Sequence, residues 1–224
     1  MDATTARTLS HKLQISVDYI VRESYEMILL RELCEGPFGA HLVFKGGTAL
    51  RLAYGSPRYS EDLDFDALGA MDGDKFLASL AQAGKRYPAI TSVETVNKRN
   101  TLFGLVKIAE PFLDRTFSIK VEVSKRNRPW VNGQDYSPQL IVSEASPLRV
   151  LAQVATLERI RTEKADALKN RRAARDVFDW WFLHQLLKQP VTVDFTGFDK
   201  EHARSELHRL LPRPYWSHID SWLA

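Results

Sequence analysis

Asp62 and Asp64 have the spacing of a metal-binding pair. Ser60-Glu61-Asp62-Leu63-Asp64-Phe65 reads as a strand, in which one intervening residue puts both carboxylates on one face and turns Leu63 and Phe65 to the other. Two like charges held side by side are unfavourable unless a cation lies between them, and Mg²⁺, or Mn²⁺ in its place, is the usual oxygen-seeking ion. Just upstream stands Phe44-Lys45-Gly46-Gly47-Thr48-Ala49-Leu50-Arg51. Leu42, Val43 and Phe44 suit a short buried strand, the two glycines a tight turn, and Thr48 to Tyr54 a helix. Such a turn points free backbone N–H groups outward, where they can hold a phosphate. A phosphate cradle beside a paired-carboxylate metal site is the equipment for nucleotidyl transfer. Either motif alone also fits an ordinary turn or a solvated strand face, so the order strand, Gly-Gly-Thr, helix, Asp-x-Asp strand carries the weight.

A third carboxylate is expected, as metal ligand or as base toward the attacking hydroxyl. In Phe117 to Ser124, Ile119, Val121 and Val123 alternate with Lys120, Glu122 and Ser124, so Glu122 projects from the polar face of a strand suited to lie beside Asp62 and Asp64. The bland alternative is a surface glutamate on an amphipathic strand.

The segment from Gly46 to Phe65 resembles the first motif of the polymerase-beta-like nucleotidyltransferases. More narrowly, Gly46-Gly47-Thr48-Ala49-Leu50-Arg51, Tyr54 and Arg58-Tyr59-Ser60-Glu61-Asp62-Leu63-Asp64-Phe65 resemble the AbiEii/MenT family of bacterial toxin nucleotidyltransferases. Lys120-Val121-Glu122 matches that family's lysine, hydrophobic, acid pattern, where the wider superfamily often has Asp. Glu163-Lys164 followed by Arg175-Asp176-Val177-Phe178-Asp179 resembles its C-terminal motifs. The resemblance implies an α+β nucleotidyltransferase fold, a mixed sheet with flanking helices plus a helical C-terminal lobe. It implies that Lys164 binds the triphosphate of an incoming NTP and that Asp176 or Asp179 helps hold the site, with the choice between those two left open. Gly46, Gly47 and Thr48 would bind phosphates through N–H groups and a hydroxyl, and Arg58 and Ser60 would order the site or touch phosphate. Asp62, Asp64 and Glu122 would hold Mg²⁺. The expected acceptor is RNA, foremost the tRNA 3′ end, whose modification blocks translation, and the expected partner is an antitoxin that need not form a stable complex. A transferase acting on a small molecule such as an antibiotic, or on a protein hydroxyl, and a non-catalytic nucleotide-binding module are the rival readings.

The remaining chain must position these residues. With 224 residues, 44% hydrophobic and 26% charged, it is long enough for a substantial core of one domain or two lobes. A formal net charge of +3 permits a nucleic-acid partner without requiring one. The single cysteine, Cys34, forms no internal disulfide and reads as a buried, inert thiol. The start carries no apolar signal core and the chain no long apolar run, so a cytoplasmic protein without membrane contact is expected. Apolar spacing predicts one helix from about Leu9 to Cys34, stopped by Glu35-Gly36-Pro37-Phe38-Gly39. A loop over 66–73, a helix capped by Asp72 or Asp74 and running to about Tyr87, and strands at 91–96, 102–108 and 117–124 follow. Residues 125–135 read as an exposed loop whose Lys125, Arg126, Arg128 and Trp130 suit a nucleic-acid backbone, although a solvated turn is the simpler reading.

A lobe boundary is placed near 145, separating a catalytic lobe (1–145) from a helical lobe (146–224). Ser146 reads as a cap, Pro147 as a first helical residue, and Val150, Leu151, Val154, Leu157 and Ile160 as an apolar helical stripe. That helix should end at Lys169-Asn170-Arg171-Arg172. Between Leu148 and Arg175 eight basic residues (Arg149, Arg159, Arg161, Lys164, Lys169, Arg171, Arg172, Arg175) face three acids, which predicts an electropositive wall on the cleft. A further helix begins near Arg175, with Trp181, Leu183, Leu186 and Leu187 as its core side and Pro190 as its stop. Residues 191–224 read as a terminal helical cap, and His202, His208 and His218 lack the companions of a zinc site.

Overall fold

The computed structural model describes residues 1–126, 129–171 and 173–224; Arg128 of the basic loop and Arg172 of the expected electropositive wall lie outside the described residues. Seven strands form one mixed sheet: β1 (Leu42–Lys45), β2 (Asp62–Ala67), β3 (Ile90–Asn97), β4 (Thr101–Ile108), β5 (Phe117–Ser124), β6 (Tyr136–Ser143) and β7 (Ser146–Ala155), in the order β3-β4-β5-β2-β1-β7-β6. The β2/β5 and β1/β7 pairs are parallel and the others antiparallel. The helices are α1 (Ala3–Leu13), α2 (Val17–Cys34), α3 (Gly46–Tyr54), α4 (Gly73–Gly84), α5 (Leu157–Asn170), α6 (Ala174–Leu186), α7 (Lys200–Leu210) and α8 (Trp216–Trp222). None of them is long and apolar enough to cross a membrane.

Alternation along the central strands creates the core. Leu63, Phe65, Ile119, Val121 and Val123 are buried against Met27, Leu29 and Leu30 of α2 and Phe76, Leu77 and Leu80 of α4. The opposite face of β2 and β5 is thereby left to polar residues, as the period of two requires. Cys34 is half-buried, and burial pushes its thiol up to about 12, so it stays protonated.

Four expectations fail, the first three for local reasons. The single helix over 9–34 is two helices, because Gln14 takes a left-handed conformation (φ 54°) and Ser16 opens a new helix by accepting a hydrogen bond from Asp18 N–H. The helix placed from Ser146 is strand β7: Val150, Ala152 and Val154 point inward at a period of two, and Leu151, 60% exposed, had completed a false helical stripe. The helical run therefore starts at Leu157, and the boundary near 145 falls in the turn of the β6/β7 hairpin. In α6, Leu183 is buried and Trp181 half-buried, but Leu186 is exposed.

Helices α6 to α8 have their own apolar cluster, in which Phe178 meets Trp181 (ring centroids 5.5 Å apart) and Trp222 (6.3 Å) around Phe195, Leu207 and Ile219. A small third cluster joins this region to the sheet's lead-in loop: Tyr59 and Leu210 pack with Ile15, Tyr19 and Ile20, and Tyr59 N–H donates to the Leu210 carbonyl at 2.8 Å. Phe178→Ala should cost about 3–5 kcal/mol by removing a buried ring and leaving a cavity, measured as the fall in unfolding free energy in urea.

Candidate active site

The register of β2 against its neighbours assembles the site. Asp62 lies beside Lys120 and Asp64 beside Glu122 on the parallel partner β5, while Asp64 lies beside Lys45 on the antiparallel partner β1. Asp62, Asp64 and Glu122 thus share one face of adjacent strands. The Lys120 ammonium sits between two of them, 3.1 Å from Asp62 Oδ2 and 3.1 Å from Glu122 Oε2. Burial, reinforced by the neighbouring Asp62 charge and only partly offset by Lys120, pushes the Asp64 carboxyl up to about 6. Among the described residues no three carboxylate, imidazole or thiol groups stand together as a ready-made metal cage. The donor set nevertheless fits a hard divalent cation, since it is all carboxylate and a lysine ammonium already bridges two of its members.

The glycine turn lies directly against these acids. Gly46 has φ +79°, and a Cβ there would come 2.6 Å from Asp64 Oδ2; a Cβ on Gly47 would come 2.4 Å from Arg58 Nη2 and 2.9 Å from Ser60 Oγ. Only glycine lets the turn come this close to Asp64, Arg58 and Ser60 at once. No side chain caps the first turn of α3, which leaves its N–H groups for a ligand. The buried Thr48 hydroxyl donates to the Asp62 carbonyl, so it anchors β2 instead of facing a phosphate.

Arg58 is likewise turned inward. Only 2% exposed, it donates Nε and Nη2 to the two Asp179 carboxylate oxygens at 2.6 and 2.8 Å and Nη1 to the Tyr59 carbonyl. Asp179 also meets Lys164 Nζ at 2.5 Å, and Lys164 meets Asp176 Oδ1 at 2.9 Å. Arg171 completes the network with a two-pronged contact to Asp176 at 2.7 and 3.0 Å. Both candidate aspartates therefore serve one buried cluster, and the Lys164 ammonium is held between them. Burial would raise both carboxyls, but Arg58 and Lys164 hold Asp179 below the usual range, and Arg171 and Lys164 bring Asp176 down to about 2.

The cleft over the acids, 510 Å³, is lined by Lys45, Asp64, Glu122, Arg126, Glu163 and Arg171 among others. Lys45, given no role from sequence although it adjoins Gly46, reaches Glu163 (3.0 Å) and Asp66 (3.1 Å). Asp66 itself continues the alternation of Asp62 and Asp64, a signal present in the sequence. The expected electropositive wall is mostly diverted: Arg159 lies over the Trp130 ring at 4.3 Å, Arg161 donates to Gln189, Arg175 pairs with Glu206 at 2.7 Å, and of the described members only Arg171 lines the cleft. Trp130 is consequently packed under Arg159 and against Tyr136, and Lys125 donates to Asn97, so neither is presented freely to a nucleic acid. His208 stacks on Trp216, 4.5 Å apart with rings 2° from parallel.

The Asp176 carboxyl generates a sign-definite prediction. Because its folded pKa lies below the ordinary 3.8, it stabilises the fold at and above about pH 4, and that contribution fades as pH falls toward 2. Asp176→Asn should therefore lower the unfolding free energy at pH 7 by about 2–4 kcal/mol. Urea midpoints measured from pH 7 to pH 2.5 should show the gap from wild type constant down to about pH 4 and narrowing below it.

The model of the family described as nucleotidyl transferase AbiEii toxin, type IV toxin–antitoxin system, matches residues 28–214. Among solved structures, the fold is similar to JHP933 from Helicobacter pylori, with TM-score 0.57 and 25% identity over 86% of this chain and 74% of that one. It is also similar to MenT4, a nucleotidyltransferase toxin from Mycobacterium tuberculosis H37Rv, with TM-score 0.57 and 23% identity over 90% of this chain and 67% of that one. No curated protein sequence matches the chain. A glycine turn packed on an acidic strand, inside a match spanning most of the sequence, identifies the chain as a member of the AbiEii nucleotidyltransferase toxin family of type IV toxin–antitoxin systems.

Proposed function

We propose that the protein transfers a nucleoside monophosphate from an NTP to a hydroxyl of RNA, foremost the 3′ end of tRNA, and so arrests translation until a cognate antitoxin counters it. The observation that carries this reading is the contact between the Gly46 turn and Asp64, which sets a phosphate cradle against the acidic strand. Asp62, Asp64 and Glu122 would hold Mg²⁺ or Mn²⁺, with Lys120 yielding its place between them. When bound, the ion would neutralise triphosphate charge and ease the build-up of charge on the attacking oxygen.

The chain's own residues supply the rest. Free N–H groups at the start of α3 are suited to phosphate oxygens, and Lys45 and Arg171 in the cleft wall to the charge of the leaving pyrophosphate. The acceptor oxygen attacks the α-phosphorus, the bond from that phosphorus to the bridging oxygen breaks, pyrophosphate departs, and the hydroxyl proton passes to a carboxylate, for which Glu122 is the candidate. Arg58, Lys164, Asp176 and Asp179 act here as positioning residues, because their charges are buried against one another. Thr48 ties the turn to the strand through its hydroxyl on the Asp62 carbonyl, and Ser60 lies against Gly47. The lobe from α5 onward closes the cleft, contributing Glu163 and Arg171 to its wall.

Incubating the protein with total RNA and each α-labelled NTP in turn should place label on tRNA-sized RNA. Asp64→Ala should lower the rate by about 10²-fold or more, the scale of losing one preorganised charge at a reacting phosphate. Equal labelling by both proteins, or labelling of small molecules alone, removes the proposal.

A further inference from the structure

The acidic cleft is smaller than a second cavity, of 850 Å³, that opens between α1, the start of α2, the segment entering β5, and α7 to α8. Five arginines line it (Arg7, Arg22, Arg115, Arg209 and Arg213) against the carboxylates of Asp18 and Glu61, a formal excess of three that equals the net charge of the whole chain. A protein whose charges otherwise balance therefore concentrates its surplus in one groove.

The arginines fall into two groups. Arg209 donates to Glu61 at 2.7 Å and to the Tyr19 hydroxyl at 2.8 Å, while Arg22 donates to the Ser118 carbonyl at 2.6 Å and lies over the Phe117 ring; these form a fixed floor. Arg7, Arg115 and Arg213 are exposed and form no ion pair with a described residue. They come from three separate parts of the chain. Unpaired guanidiniums spread over three walls suit a ligand with repeated, spaced negative charges better than a single carboxylate or phosphate. Trp216, in the same lining, is already stacked on His208 and has the Arg213 guanidinium 5.8 Å from its ring centroid, so it serves to hold that arginine at the groove and is not a free stacking platform. Glu61 lines the groove and is followed directly in sequence by Asp62, the first residue of the acidic strand.

We infer that this groove is the docking surface for the phosphate backbone of the RNA acceptor, separate from the cleft that takes the NTP. The inference rests on the reading of RNA as acceptor. Of the basic residues between 148 and 175, Arg159, Arg161 and Arg175 are engaged elsewhere and do not supply such a surface.

The test is fluorescence anisotropy of the full chain with a fluorescein-labelled tRNA transcript across 50–300 mM salt. Arg7→Ala with Arg115→Ala, which removes no ion pair, should weaken binding about tenfold near 100 mM salt and reduce the slope of log Kd against log salt by about 1–2. The thermal shift produced by NTP should stay at the wild-type value. A charge-matched control, Lys75→Ala on α4 with Lys85→Ala at its C-terminal cap, should change affinity by less than about twofold. The inference is overturned if the arginine pair changes binding no more than the control, if wild type does not bind the transcript, or if only phosphatidylglycerol vesicles are bound through these arginines. Label transfer measured beside binding, in wild type and in the arginine variant, separates the two readings. Groove-dependent tRNA binding without label transfer by wild type sinks the transferase reading alone; transfer that persists unchanged in the arginine variant sinks the docking surface alone.

Discussion

The buried chain of charges from Arg58 through Asp179 and Lys164 to Asp176 and Arg171 is the constraint on which the rest of the molecule turns. Burying an ion costs several kcal/mol unless its partners are well placed. Here each carboxylate meets two cations, and Arg58 uses its planar fork on both oxygens of Asp179. The geometry ties the loop that leads into β2 to helices α5 and α6, elements more than a hundred residues away in sequence. Removing Asp179 would leave the buried Arg58 without a carboxylate partner, whereas an apolar replacement of the whole set could be as stable. Such a network therefore fixes position more than it adds stability.

Its consequence is felt on the sheet. The loop anchored by Arg58 and by the Tyr59–Leu210 hydrogen bond delivers β2 in the register that sets Asp64 between Lys45 and Glu122. Burial first, and then the like charges of Asp62 and Glu122, which Lys120 and Lys45 offset only in part, hold the Asp64 carboxyl high. A fold selected for stability alone would not hold three acids in a row beside a glutamate. Surplus negative charge next to free helix N–H groups is instead an arrangement that a metal–phosphate ligand would complete.

Much of this was readable in one dimension. Strands β3, β4 and β5 and helix α4 follow from alternation, caps and turn residues to within a residue or three at their ends, because those signals are local. Gly46-Gly47 and Asp62-x-Asp64 were readable for the same reason: a turn needing positive φ and two carboxylates on one strand face are decided by neighbours in sequence. Strand β7 reads as a helix in the sequence because exposed Leu151 mimics a helical stripe, and nothing local says that its neighbour will be β1, whose Val43 pairs with Gln153, far beyond the reach of any periodicity window.

The sequence by itself determined which residues carry charge, which face of each strand they occupy, and where the chain turns, since steric and periodic rules act over a few residues. Only the tertiary structure decided which charges meet. It turned Arg58 and Lys164 inward onto Asp179 and Asp176, placed Lys120 between Asp62 and Glu122, and gathered Arg7, Arg115 and Arg213 into one groove. Electrostatic energy depends on distance in space and on burial, and neither quantity is a property of position along the chain.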